Sequence, residues 1–257
     1  MTEPYLTHVL IVLGVSLVGG AIRRLGGFGG ALIMTPGLMW IFPLTQLLPI
    51  VMLAELFGGL WLSRQWKLDP DDRSRLYRFV LPAGLLLPIG IYVTAYLSPF
   101  FIGFLTSVVI LIFSICLLCR PSFRLIANPK RDLGAGALSG LLLGTCGIGG
   151  PPAALYLNMA AGDFNRSRTL LSVFISALSF MAAAVAILMG AGVGWIRWFF
   201  CAAIGYGSGL WLGGFLSAKL QLNNESIRTM CLVVLLVNAL FNLSLLIFMN
   251  VLIVAEI

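Results

Sequence analysis

Two glycine-rich breaks interrupt long apolar stretches of this chain, and they fall 120 residues apart: Gly26-Gly27-Phe28-Gly29-Gly30 and Cys146-Gly147-Ile148-Gly149-Gly150 (27 against 147). Non-helical backbone is hard to hold inside a bilayer. Each exposed N–H or C=O costs several kcal/mol in hydrocarbon unless protein or a water-filled cavity satisfies it. Breaks at corresponding positions in two halves are the usual mark of a secondary transporter's substrate site.

The membrane reading follows from composition. Hydrophobic residues make up 60% of the 257 positions and charged residues 10%, against about 25% charged in a soluble domain. Runs long enough to span recur at about 45–63, 76–97, 99–119, 169–190, 196–217 and 229–254. No polar stretch is long enough for a separate soluble domain. The first residues, from Met1 to His8, carry no Lys or Arg, so they lack the basic start of a cleaved signal peptide. The net charge of +7 reads as loop charge facing the cytosol and anionic lipid, not as a nucleic-acid surface. Cys116-x-x-Cys119 has no second pair and no nearby histidine. The five cysteines therefore read as small apolar membrane residues, with no metal or cofactor expected.

At the same offset, residues 14–30 and 134–150 share five glycines, Gly14/Gly134, Gly20/Gly140, Gly27/Gly147, Gly29/Gly149 and Gly30/Gly150. Each half then continues without a gap into three spans. Residues 12–42 and 133–162 are each about 30 long, too short for two crossings at about 1.5 Å per residue and long for one. Each suits a re-entrant hairpin with the glycines at its tip. The expected fold is an all-α polytopic membrane protein of two inverted repeats. The first is 1–119, then a cytosolic linker at 120–132, then the second at 133–257. On this model the basic residues at 64–78, 120–131 and 166–168, with Lys219 and Arg228, share one side and only Arg197 lies opposite. Eight full crossings give a poorer split.

The tips are expected to end at helix starts. Pro151-Pro152 follow Gly150, and proline is favoured in a first helical turn; in the first half the helix resumes at Ala31. Helix N-termini near mid-depth direct unpaired N–H groups and positive dipole ends into the space between them. Gly27, Phe28, Gly29, Gly30, Cys146, Gly147, Ile148, Gly149 and Gly150 are therefore candidates to contact a small anion.

Arg23 and Arg24 precede the first tip, and a guanidinium at that depth faces a cavity or a partner. Two roles stand open: recognition of a multi-oxygen anion, with Arg24 ahead of Arg23, or pairing with Glu55, the one carboxylate deep in a span. Glu55 is also the candidate coupling group. Thr35, Tyr156 and Asn158 lie beyond the tips as hydrogen-bond donors. Asn238 and Asn242, and the Ser172, Ser176, Ser179 stripe, either line the pathway or pack helices.

On Gly26-Gly27-Phe28-Gly29-Gly30 with Thr35-Pro36, and on Gly144-Thr145-Cys146-Gly147-Ile148-Gly149-Gly150-Pro151, the chain resembles the TauE/SafE family of sulfite exporters over essentially its whole length. The resemblance implies export of sulfur oxyanions (sulfite, sulfonates such as sulfoacetate, or thiosulfate) across a bacterial inner membrane. Arg23-Arg24 departs from the family pattern, where small or apolar residues are expected, and points to a larger or more highly charged anion than sulfite.

The expected function is a secondary transporter working by alternating access. Its partners are the small anion and the lipid bilayer, with a homodimer left open. No G-x-x-x-x-G-K-[ST] nucleotide loop is present. The alternative is an anion channel of the same pore chemistry. An intramembrane enzyme is disfavoured, because no Ser/His/Asp set, metal cluster or carboxylate pair is gathered in the sequence.

Overall fold

A computed structural model describes residues 3–63, 68–119, 128–160, 164–220 and 224–255. Among these residues ten helices run in order: α1 Glu3–Gly26, α2 Gly30–Leu38, α3 Leu44–Leu62, α4 Pro70–Thr94, α5 Pro99–Leu118, α6 Pro129–Cys146, α7 Gly150–Ala160, α8 Phe164–Leu188, α9 Trp195–Leu220 and α10 Asn224–Ala255. Each expected span is a helix, and each glycine run is a break between two helices.

Among the described residues, seven helices are long and apolar enough to cross a membrane, where six were expected. The extra one is α1. It starts at Glu3 and not near residue 12, because nothing after Pro4 breaks the apolar helix, and Tyr5–Gly26 supplies 22 residues of crossing length. Helix α6 starts at Pro129 with Lys130, Arg131 and Asp132 in its first turn, and does not qualify.

Both hairpins double back. Tyr5 at the start of α1 and Phe42 just after α2 meet the same ring, Trp198, at 5.5 and 5.1 Å between centroids. At the other hairpin, Asn128 caps the start of α6, and its N–H donates to the Tyr156 hydroxyl of α7 at 3.2 Å. With about 1.5 Å per residue, α2 and α7 are roughly 13 and 16 Å long. That is about half of a ~30 Å hydrocarbon core.

Bare glycine faces set the closest helix contacts. Helix α1 lies along α9, with Leu13, Leu17 and Ala21 against Gly205, Gly209 and Gly213; α6 lies along α4, with Gly136, Gly140 and Gly144 against Phe79, Ala83 and Leu87. A Cβ on Gly20 would stand 2.1 Å from the Tyr206 carbonyl oxygen, and one on Gly140 would stand 2.1 Å from that of Ala83. Water supplies no hydrophobic drive between helices in lipid, so close backbone approach carries the packing. Both glycine rows have four-residue spacing, legible in the sequence but not used in reading it.

Helix α3 packs on α8 and α5 on α10. Exchanging the first five helices in order for the last five turns α1 with α9 into α6 with α4 and leaves those two pairs unchanged.

The bundle has a basic end. Asp72 and Arg166 join α4 to α8 at 2.8 Å, and Asp132 takes Arg75 at 3.2 Å and Arg78 at 3.5 Å, joining α6 to α4. Arg228 donates to the Leu117 carbonyl at 2.7 Å, bringing the start of α10 to the end of α5. Arg197 stacks on Trp198 at the opposite end. Arg64, Lys67, Arg120 and Arg124 lie outside the described residues.

Candidate functional site

The site is built where α1 stops and α2 starts. Gly27 and Gly29 take φ of 77° and 105°, so the chain reverses within a few residues. These values favour glycine, because a side chain there would crowd its own backbone. Stopping a helix in the interior strands its last carbonyls. Arg23, fully buried, donates through Nη1 to the Gly27 carbonyl at 2.5 Å. Its Nη2 reaches the Ser172 carbonyl at 3.3 Å and the Ser176 hydroxyl at 3.4 Å on α8. Arg168 donates to the Arg24 carbonyl. Positive charge also suits the negative end of the α1 dipole.

Arg23 pairs with Glu55. Their Nε and Oε2 atoms lie 3.2 Å apart with both side chains buried, in contact but not aligned as a hydrogen bond. The other carboxylate oxygen, Oε1, accepts the N–H of Ala31 at 2.5 Å, at the start of α2. Of the two roles open for the arginines, Arg23 therefore has the ion pair. Arg24 turns onto α9, with its Nε 3.2 Å from the place a Gly214 Cβ would occupy.

The second break resolves its stranded carbonyls differently. Gly147 has φ 69° and caps α6. Its carbonyl accepts from Thr35 Oγ1 at 3.1 Å, and that of Cys146 from Thr106 Oγ1 at 3.3 Å. Hydroxyls here do what guanidinium groups do at the first break. Thr35 also ties the two breaks together.

Gly149 has no positive φ; it is bare for space, since a Cβ would lie 2.8 Å from the Ser139 carbonyl oxygen. The N-terminus of α7 is poorer than expected in donors, because Pro151 and Pro152 have no N–H. The 120-residue offset also sets Ile175 on α8 where Glu55 stands on α3. Its Cδ1 comes within 3.4 Å of a Gly150 Cβ, as Glu55 Oε1 comes within 2.3 Å of a Gly30 Cβ. Among the described residues, no carboxylate sits over the second helix start.

Between the breaks lies a cavity of about 20 Å³, lined by Gly29, Ala31 and Glu55 from one half and by Gly149, Gly150, Ile175 and Ser179 from the other. That is room for about one water molecule, and too little for a sulfur oxyanion. Phe28 faces away from it, into a separate void with Asn158, Arg228 and Cys231. Ile148 and Cys146 are fully buried.

Other expected contacts lie elsewhere. Tyr156 stacks against Phe79 and under Arg75 near the basic end. Asn238 donates to the Leu32 carbonyl at 3.1 Å. Pro36 has no N–H to fill that carbonyl, so Asn238 repairs the proline gap in α2. Asn242 extends this link to Trp40 Nε1 at 2.9 Å.

Sequence reasoning missed Tyr206. It is fully buried, its hydroxyl makes no well-aligned hydrogen bond among the described residues, and it would lie 2.4 Å from a Cβ on Gly30, beside Glu55. A lone tyrosine in an apolar span gave no signal. Towards the end opposite the basic one, two larger cavities of about 450 and 200 Å³ share Leu44, Thr45 and Thr94. Thr94 in turn donates to the Gly144 carbonyl just before the second break.

The comparisons with known proteins can be set on this geometry. Neither curated proteins nor solved structures give a match. A family model described as sulfite exporter TauE/SafE matches residues 12–241, which takes in both breaks, Glu55, Tyr206 and Asn238. The chain belongs to the TauE/SafE sulfite exporter family.

Proposed function

We propose that this protein is a secondary transporter of small sulfur-containing oxyanions, exporting them across a bacterial cytoplasmic membrane. It works by alternating access around the space between the two helix starts. The observation that carries this reading is the Ala31 N–H bound to the Glu55 carboxylate at 2.5 Å. The α2 N-terminus is thus a place where an anion is held, near mid-depth, beside a buried guanidinium. A sulfonate presents oxygens of the same kind to such donors. Substrate contact is assigned to Gly29, Gly30, Gly149 and Gly150 and to Arg23. Arg24 stands at the basic side of the first break.

Alternating access is supported by the closed space at the site, flanked by ion pairs at the basic end and larger cavities towards the other. The test is a binding panel of sulfite, sulfate, thiosulfate, taurine and sulfoacetate on purified protein, followed by flux in vesicles. Saturable flux with counterflow is expected for the panel member that binds. Flux that never saturates, with no counterflow, would make the protein a channel, and binding of none would end the anion reading.

The inverted arrangement is part of the proposal. It is supported by the packing pairs that exchange between halves and by the gathering of Arg75, Arg78 and Arg166 at one end. In a cysteine-free background, single cysteines introduced near residues 130 and 165 should label from the cytosolic face, and one at Leu97 from the other. Labelling of the first two from opposite faces would rule the arrangement out.

A further inference from the structure

The strongest anion-holding position in this protein is already filled by the protein itself. Helix α2 opens with the N–H groups of Gly30, Ala31 and Leu32, whereas α7 has lost two early donors to Pro151 and Pro152. At α2 the Ala31 N–H is taken by Glu55 Oε1. The same carboxylate holds Arg23 through Oε2 at 3.2 Å, both side chains being almost wholly out of solvent. A transported anion and the Glu55 carboxylate therefore want the same donors and the same cation.

They cannot have them together. Two negative groups around one buried guanidinium leave one negative charge uncompensated, and removing both leaves the guanidinium bare. Either state is costly in a low-dielectric interior. Only two arrangements keep the charge balanced: Glu55 ionised with no substrate, or Glu55 protonated with one anionic group on the α2 N-terminus and Arg23.

The surroundings suit this exchange. Among the described residues, the ionisable groups facing Glu55 are Arg23 from α1 and Tyr206 from α9. From α2 it meets the Ala31 N–H, and across the small cavity α8 presents Ile175 and Ser179, neither ionisable. The Tyr206 hydroxyl, buried and with no well-aligned hydrogen bond among the described residues, stands beside the carboxylate and can accept a hydrogen bond from its protonated form. The Nε–Oε2 contact is not aligned as a hydrogen bond, so an incoming oxyanion can improve on it.

We infer that Glu55 is a tethered competitor for the substrate. The anion binds the α2 N-terminus and Arg23 only as Glu55 takes up a proton from solvent and releases the Ala31 N–H, so proton and anion enter the site together. This rests on the anion-transport reading and specifies its coupling. Affinity falls as pH rises, because the ionised carboxylate then holds the donors.

The test measures proton uptake when methanesulfonate or sulfoacetate, each offering the site one singly charged sulfonate, is added to weakly buffered, detergent-purified protein. About one proton taken up per anion bound is expected, with affinity falling as pH rises. Glu55→Gln should bind with no uptake and no such pH dependence. Binding to wild type without proton uptake overturns the proposal and leaves anion transport standing. So does uptake that persists in Glu55→Gln. Binding of neither probe to either protein removes the proposal together with the transport reading on which it rests. Should Glu55→Gln fail to fold, the wild-type uptake decides alone.

Discussion

Arg23→Ala should prevent most of the protein from accumulating in a folded state. The substitution leaves Glu55 buried without its cation, frees the Gly27 carbonyl, and cuts the link from the first break to Ser172 and Ser176 on α8. Removing one partner of a buried ion pair costs about 3–5 kcal/mol, a large share of the stability of an ordinary domain. Size-exclusion profiles and thermal unfolding in detergent will read the loss. Replacing both partners, Arg23→Leu with Glu55→Leu, removes the uncompensated charge and should recover much of the folded protein, since apolar substitutes for a buried pair are often tolerated. Anion binding should stay lost in the double variant. If it returned with the fold, Arg23 would be a structural residue and not a ligand.

Gly140→Val should be comparably severe for a different reason. The first added carbon would sit 2.1 Å from the Ala83 carbonyl oxygen, against backbone that no rotamer change can move. Helices α4 and α6 must then separate along their whole contact, so the cost exceeds the usual ~1–3 kcal/mol of an overpacked core. Gly20→Val meets the Tyr206 carbonyl at the same distance in the α1–α9 contact and should behave alike. Gly134→Ala is the control. It lies in the same helix α6 with nothing within 4 Å, and should be neutral or stabilise by about 0.5–1 kcal/mol. Thermal unfolding of the three variants checks the ranking. A Gly140→Val protein as stable as wild type would show that the α4–α6 contact is looser than described.

The helices and the breaks follow from the amino-acid pattern alone. Lipid admits a spanning backbone only as a helix or closed barrel, so apolar runs with two glycine interruptions leave few alternatives. Hence the six expected spans are helices, Gly27–Gly29 and Gly147–Gly149 fall between helices, and the family resemblance on those stretches agrees with the match over 12–241. The Arg23–Glu55 pair was legible as one of two options, because two opposite charges at similar depth in hydrocarbon have few other partners.

Which groups meet is a matter of packing between distant helices. That Arg23 and not Arg24 turns to Glu55 depends on the rotation of α1 about its axis, and its glycine contact with α9 fixes that rotation. That Glu55 caps α2, Asn238 fills the carbonyl freed by Pro36, and Thr35 bonds Gly147 depends on crossings between helices distant in sequence. Tyr156 was expected near the site from its place beyond the tip, yet it faces Asn128 and Arg75, because a few residues of helix rotate a side chain onto another face. Periodicity fixes which residues share a face. Which neighbour that face meets is settled by packing.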